Sequence, residues 1–233
     1  MENTNENAGI KDNGQENGKN STLLNDIIEI VESTLVTVFV IVMVFTYLLH
    51  PVNIVGHSMV PTLNKNYDPV TNNTDKIFMS TIYFDVDYGD VLVIDKDVNY
   101  LLDENGNVYV PSGPGSEAIG ECIIKRVIAK GGQTVDIRDG KVIVDGKELD
   151  EPYINEADST NDVGYGAFTD QYPITVPEGY YFVMGDNRNH STDSRARCVG
   201  LVKKDQIYGK AIVKYSPIKE FDILTDSVKG PKK

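Results

Sequence analysis

The stretch TVDIRDGKVIVDGKEL, from Thr134 to Leu149, places two Asp-Gly pairs, at 139–140 and 145–146, between runs rich in β-branched residues. Asp and Gly tolerate the positive φ that a two-residue type I′ turn demands, and such turns match the twist of the strands they join. The stretch therefore reads as a β-hairpin followed by a second reversal. Short apolar runs recur on both sides of it: Val91 to Ile94, Cys122 to Ile128, Tyr180 to Met184 and Ala211 to Tyr215. Turn residues separate them, so the chain after Pro51 is expected to be mostly β, an antiparallel body with a smaller β subdomain at about 133–178. Asp97 to Gly120, with PSGPGS at 111–116, and Asp150 to Pro177 read as surface loops or parts of that subdomain.

Upstream of Pro51 the pattern is different. Residues 1–20 are rich in Asn, Glu, Gly and Lys without apolar periodicity, which predicts a disordered tail. Residues 21–32 read as a helix start, with Ser21 or Thr22 as cap. There Leu23, Leu24, Ile27, Ile28, Ile30 and Val31 fall at helical spacing against Asp26, Glu29 and Glu32. From Ser33 to Gly56 there is no Asp, Glu, Lys or Arg. A helix over that length would reach about 36 Å, enough for a hydrocarbon core of about 30 Å. One transmembrane helix within 21–50 is predicted. A cleavable leader fits less well: the flank before the run is acidic, the run is long, and it exits through Tyr-Leu-Leu-His-Pro.

The formal net charge is −13, which argues against nucleic acid as a partner, because phosphate contacts need clustered Lys and Arg. Cys122, Cys198, His50, His57 and His190 show no metal-ligand spacing, so neither a metal nor a cofactor is expected. The cysteines are expected to be two buried free thiols, with a disulfide as the alternative.

Three segments carry candidate chemistry. Ser58 lies in GHSMVPTL (56–63), just past the apolar run. A lone serine there is ordinarily a turn former, and as a nucleophile it needs a base. His57 is adjacent and points to the other face of an extended chain, while His190 follows a polar loop, so both read as surface residues. A buried lysine can be that base, because desolvation disfavours the ammonium. Lys125, in CIIKRVI (122–128), has apolar neighbours on both sides, and its rival reading is an edge-strand lysine facing water. The third segment, GDNRNHSTDSR (185–195), is polar but follows an apolar strand. Asp193 with Arg195, and Asp186 with Arg188, are expected to pair, and Ser191 can bond a lysine amine.

Taken in order, Ser-Met-x-Pro-Thr, Gly-Asp-Val at 89–91, Lys-Arg, and Gly-Asp-Asn-Arg-x-x-Ser-x-Asp-Ser-Arg resemble the motif series of type I signal peptidases, from Ser33 to about Tyr215. The resemblance implies that Ser58 is the nucleophile, Lys125 the general base, Ser191 the group orienting the amine, and Asp193 with Arg195 a supporting pair. It implies that the Ser58 N–H forms part of an oxyanion hole. It also implies that Ile54, Val55, Met59, Leu63, Ile123 and Ile124 line small pockets suited to Ala-x-Ala before the cut. The implied enzyme is a serine endopeptidase of the cell membrane that removes signal peptides from exported preproteins. Its residues 1–20 would be cytoplasmic and its residues 51–233 extracytoplasmic, with the preproteins and the lipid bilayer as partners.

Two positions depart from the family pattern. Gly56 stands where some relatives carry a hydroxyl donor to the oxyanion. The turn after the Lys-Arg strand is Ala-Lys-Gly-Gly-Gln (129–133) rather than Gly-x-Pro-Gly-Asp. Alternative readings are a relative specialised for pilin or surface-polymer assembly, a self-cleaving serine/lysine repressor-type protein, and a non-catalytic membrane scaffold. The membrane span and the 185–195 loop count against the repressor, and the presence of both Ser58 and Lys125 counts against the scaffold.

Overall fold

Both Asp-Gly pairs make the turns their composition calls for. Asp139 and Gly140 have φ of 51° and 77°, and Asp145 and Gly146 have 51° and 74°. The computed structural model describes residues 14–224 apart from 69, 71–72, 83–84, 115, 155–166 and 170–171, with side chains from 23 onward. The chain divides into two units at Thr46–Tyr47.

The first unit is the helix α1, Gly14–Tyr47. It begins upstream of the expected start, so neither Ser21 nor Thr22 caps it; the first 13 residues of the expected tail lie outside the described residues. Its segment Leu23–Tyr47, 25 residues, is apolar and none of it is buried. That segment is about 37 Å long, enough to cross a membrane. Its hydroxyls are satisfied within the helix: Thr34 Oγ1 donates to Ile30 O at 2.7 Å and Thr37 Oγ1 to Ser33 O at 2.8 Å. Such internal bonding is what an apolar solvent requires of a polar side chain. The helix ends earlier than the expected span to residue 50. Leu49–Asn53 forms a strand instead, because its backbone finds a ladder from Leu49↔Ser80 to Asn53↔Lys76. Pro51 is tolerated there because the strand lies at a sheet edge.

The second unit is β-rich. Its strands are β1 (Leu49–Asn53), β2 (Lys76–Ser80), β3 (Val91–Asp95), β4 (Leu101–Leu102), β5 (Val108–Tyr109), β6 (Cys122–Lys130) and β7 (Thr134–Arg138). They continue with β8 (Lys141–Val144), β9 (Lys147–Glu148), β10 (Ile174–Thr175), β11 (Tyr180–Met184), β12 (Val202–Lys203), β13 (Ile207–Ser216) and β14 (Asp222–Ile223). The main sheet has the order β1-β2-β13-β3-β6-β11-β12, with β14 paired to β13. A smaller sheet, β10-β7-β8-β9, is built on the Asp-Gly turns, and β4 pairs with β5. All these pairings are antiparallel. The two stretches read as loops thus contain short strands, β4 with β5 in one and β10 in the other.

Strand period sorts the core. In β3, Val91 and Val93 pack with Ile54, Met59, Leu63 and Ile77 on one face, while Leu92 and Ile94 pack with Val127, Val183 and Val202 on the other. In β11, Tyr181 and Val183 join that second face, whereas Phe182 and Met184 join Val135, Val142 and Val144 of the small sheet. Each aliphatic side chain so buried contributes roughly 1.5–3 kcal/mol. Central strands buried on both faces become near-continuous apolar runs, so the charged residues within them stand out. The Gly131-Gly132 turn has its own cause. A Cβ on Gly131 would lie 2.7 Å from Glu178 Cα, and Gly132 has φ of 84° while donating its N–H to Val176 O. Two glycines thus let the chain reverse directly against Pro177–Glu178.

Candidate active site

Lys125 sits in the middle of β6, between β3 and β11, so it is not on an edge. It faces Leu92 across the ladder and is 3% exposed. Its amine lies 2.9 Å from Ser58 Oγ and also donates to Ile124 O at 2.9 Å. Burial lowers the Lys125 pKa to about 8; Asp193 and Asp186 pull it back up, and Arg195 pushes it further down. Near neutral pH a usable fraction of the amine is therefore unprotonated, and an unprotonated amine accepts a proton from a hydroxyl.

Ser58 belongs to the turn that follows β1. Gly56 enters it at φ 87°, a conformation that favours glycine. Asn64 ties the two ends of this turn together: its Nδ2 donates to Ile54 O and Gly56 O, each at 2.9 Å. Asn64 N donates to Asp75 Oδ2, and Asp75 N donates to Asn64 Oδ1, both at 2.7 Å. On the other side, Asn187 N donates to Ser58 O and Asn187 Nδ2 to His57 O, both at 3.1 Å. The Ser58 N–H makes no hydrogen bond among the described residues.

The 185–195 loop is folded around Gly185. Gly185 N donates to Asp193 Oδ2 at 2.9 Å, and Gly185 O accepts from Arg188 Nε at 3.1 Å. A Cβ on Gly185 would overlap the Ser191 side chain and the Ser58 carbonyl, so this glycine is where the loop closes against the Ser58 turn. Asp193 and Arg195 form the expected pair, Nε to Oδ1 at 2.8 Å and Nη2 to Oδ2 at 2.9 Å, with both side chains buried. Burial works to raise the Asp193 pKa, but Arg195 and the Gly185 N–H outweigh it and hold the carboxylate low. Ser191 Oγ is buried without a well-formed hydrogen bond, although it lies near enough to Asp193 to help hold that carboxyl low.

The other expected pair does not form. Asp186 binds Arg126, at 2.8 Å to Nε and 2.6 Å to Nη2, and Arg188 binds Glu151 at 2.6 and 3.0 Å. Neighbours two apart in the loop point to different sides, and each finds a longer-range partner with which its charge can be buried. Arg126 also donates to Gly89 O at 2.7 Å, and Thr62 Oγ1 donates to Asp186 Oδ2 at 2.5 Å. The Lys-Arg, Gly-Asp-Val, Pro-Thr and Gly-Asp-Asn segments therefore meet at one guanidinium. Arg126, Asn64, Glu151 and Gly185 carry no expected role along the sequence, and Asp186 pairs with Arg126 instead of the expected Arg188. The available signal was an arginine inside an apolar strand, which must be paired if it is buried.

A groove of about 360 Å³ opens at Ser58 and Lys125, lined also by Ile54, Val55, Val93, Ile119, Ile123 and Ile124. Met59 and Leu63 lie behind its wall, at 1% and 0% exposure, in the core. His57 and His190 line it but are exposed, and His57 packs edge-on against Tyr67 at 4.7 Å. Both cysteines are free thiols, but Cys122 is exposed at the rim of the groove and Cys198 half-buried, so they are not two buried thiols. Cys122 opens β6, where the strand has only begun to enter the core.

The family model described as "Signal peptidase, peptidase S26" matches residues 27–216. Signal peptidase I T of Bacillus subtilis (strain 168) is 29% identical over 198 residues, 84% of this chain and 89% of that one. Signal peptidase I of Bacillus licheniformis is 30% identical over 206 residues, 87% of this chain and 95% of its own. A crystal structure of a signal peptidase I from Enterococcus faecalis V583 is 25% identical and covers 55% of this chain and 98% of that chain, at a TM-score of 0.38. With a family match over most of its length, the chain belongs to the signal peptidases of the peptidase S26 family, serine peptidases that remove signal peptides from precursor proteins.

Proposed function

We propose that Ser58 is the nucleophile of this signal peptidase and Lys125 its general base. The observation that carries this reading is the 2.9 Å contact between the Ser58 hydroxyl and an amine stripped of water. The neutral amine takes the Ser58 proton as Oγ attacks the scissile carbonyl. The resulting ammonium then protonates the departing amine, leaving an acyl-enzyme and a neutral lysine. Lys125 next takes a proton from water as the water oxygen attacks the ester, and the ammonium returns that proton to Ser58 Oγ as the acyl–oxygen bond breaks. The unpaired Ser58 N–H is the donor we assign to the developing oxyanion. Asp193 and Arg195 hold the 185–195 loop in place, and the buried Ser191 hydroxyl is available to orient the amine.

Substrate residues before the cut occupy the apolar end of the groove. Ile54, Val55, Ile123 and Ile124 form its walls, with Met59 and Leu63 as backing. A narrow aliphatic pocket favours Ala-x-Ala by excluding larger side chains. The helix α1 anchors the enzyme in the bilayer, residues 1–20 remain in the cytoplasm, and 51–233 form the exported catalytic domain. A substrate held by its own apolar segment then meets the enzyme within one plane.

The direct test is to incubate the detergent-solubilised chain with a signal-bearing precursor and to map the cut by mass. One cut after a small residue is expected, and none with Ser58→Ala. For topology, protease added outside intact cells should degrade the body; full protection would reverse the orientation.

A further inference from the structure

We propose that Glu151 and Tyr153, where the chain leaves the small sheet, are positioning residues for the peptidase reaction: they lock the Lys125 strand to the 185–195 loop. The inference rests on the Ser58–Lys125 reading above.

The segment makes one contact with each partner. Glu151 receives both Nη atoms of Arg188, at 2.6 and 3.0 Å, with the two side chains 7% and 0% exposed. Arg188 in turn donates to Gly185 O, and its own carbonyl accepts from Arg195 Nη2 at 2.9 Å. Gly185 is the point where the Ser191 side chain meets the Ser58 carbonyl. Glu151 is therefore linked to the nucleophile's turn by two buried charge-assisted hydrogen bonds and the close approach of Gly185 to Ser58. Tyr153 makes the second link. Its ring lies 4.2 Å beneath the Arg126 guanidinium, and Arg126 is the residue after Lys125. Its hydroxyl donates to Glu151 Oε1 at 2.8 Å and lies 3.3 Å from Tyr88 Oη. Burial keeps this phenol protonated, so it remains a donor.

This arrangement does more than fill space. Arg126 and Arg188 are like charges buried against one tyrosine ring, 4.2 and 6.0 Å from its centroid. Asp186 neutralises the first and Glu151 the second. Without Glu151, Arg188 would lose the carboxylate that holds both its Nη atoms, and the Gly185 carbonyl that its Nε holds would be free to move with it. A shift of about 1 Å at a reacting pair costs on the order of 10²-fold in rate. Water admitted to the pocket would also relax the desolvation of Lys125. The charged groups facing that amine, Asp193, Asp186 and Arg195, include two that favour its protonated form, so its pKa would rise.

The test measures kcat, KM and the pH–rate profile of full-length Glu151→Gln, Glu151→Asp and Tyr153→Phe in detergent on a signal-bearing precursor. Ser58→Ala and Lys125→Arg serve as controls. Glu151→Gln is expected to lower kcat about 10- to 100-fold with KM changed less than about 2-fold, and to move the low-pH limb, along which the rate rises, to higher pH. Glu151→Asp, which keeps the charge, should recover part of the rate, and Tyr153→Phe should show the smallest loss. Wild-type kcat and limb in folded Glu151→Gln would overturn the proposal, even if its melting temperature falls. Should Glu151→Gln fail to fold, wild-type kcat in both other variants would overturn it. Activity in either control would instead overturn the Ser58–Lys125 reading on which it rests.

Discussion

Among the described residues, burial lowers the pKa of two lysines in this body, and only one of them faces a hydroxyl. Lys96, just past β3, is fully buried, and burial lowers its pKa to about 7, against the weaker opposing pull of Cys198 and Asp95. Lys125 is lowered by the same cause to about 8. Their surroundings differ. Lys96 Nζ donates to Leu201 O at 3.2 Å and Gln206 Oε1 at 3.4 Å, beside the Tyr100 ring, and it does not line the Ser58 groove. Lys125 Nζ meets Ser58 Oγ at the groove floor. A depressed pKa is therefore a mark of burial, and becomes catalytic only where a proton donor and a route for substrate coincide with it.

The comparison can be broken most directly by substitution. Ser58→Ala and Lys125→Arg should each lower precursor cleavage by at least about 10⁴-fold, the arginine variant because guanidinium stays protonated. Lys96→Met should cleave within about threefold of the wild type. An inactive but folded Lys96→Met, read in the same precursor-cleavage assay, would mean that the closed lysine matters to the chemistry.

Gly185→Ala should cost about 10²-fold, because a Cβ there would displace the Ser191 side chain and the Ser58 carbonyl. Near-normal turnover in that variant would show that the loop has room the geometry denies it.

The pH dependence separates the two lysines further. Below about pH 8, kcat/KM should fall about tenfold per unit as Lys125 becomes charged, and Lys96→Met should leave this limb unmoved. Stability should follow the opposite logic. A lysine whose folded pKa is depressed carries no penalty above its unfolded value of 10.5; the penalty grows as pH falls and is complete below about 8 for Lys125 and about 7 for Lys96. Lys125→Met should thus be more stable than the wild type by about 3 kcal/mol at neutral pH and no more stable above about pH 10.5. Denaturant midpoints of the full chain across that range are the check. A constant difference at every pH would point to packing rather than charge.

The smallest expected effect is at Ser191. On the proposed reading its hydroxyl orients the amine rather than replacing it, so Ser191→Ala should cost about tenfold. Complete loss, measured against Ser58→Ala, would give Ser191 a larger part in the reaction than a positioning bond.

Much of this arrangement was legible along the chain because its causes are local. Asp-Gly needs positive φ at both positions, so residues 139–140 and 145–146 announced their turns and with them an antiparallel body. A long apolar segment without charge announced a helix, although its end at Tyr47 depended on the ladder that Leu49–Asn53 finds with β2. Ser58 and Lys125 stood out only through the motif series shared with type I signal peptidases, whereas Asp193 and Arg195 were marked as a pair by charge and spacing. The partners of Asp186 and Arg188 were not, because a buried charge is satisfied by whichever opposite charge the fold brings within reach. Those were Arg126, 60 residues away, and Glu151, 37 residues away. The same holds for Lys125 and Lys96. Sequence determined that both sit beside apolar strands. Only the tertiary structure decided that one amine ends against a serine hydroxyl and the other against a carbonyl and an amide, since desolvation is a property of the strand but a hydrogen-bond partner is a property of the packing.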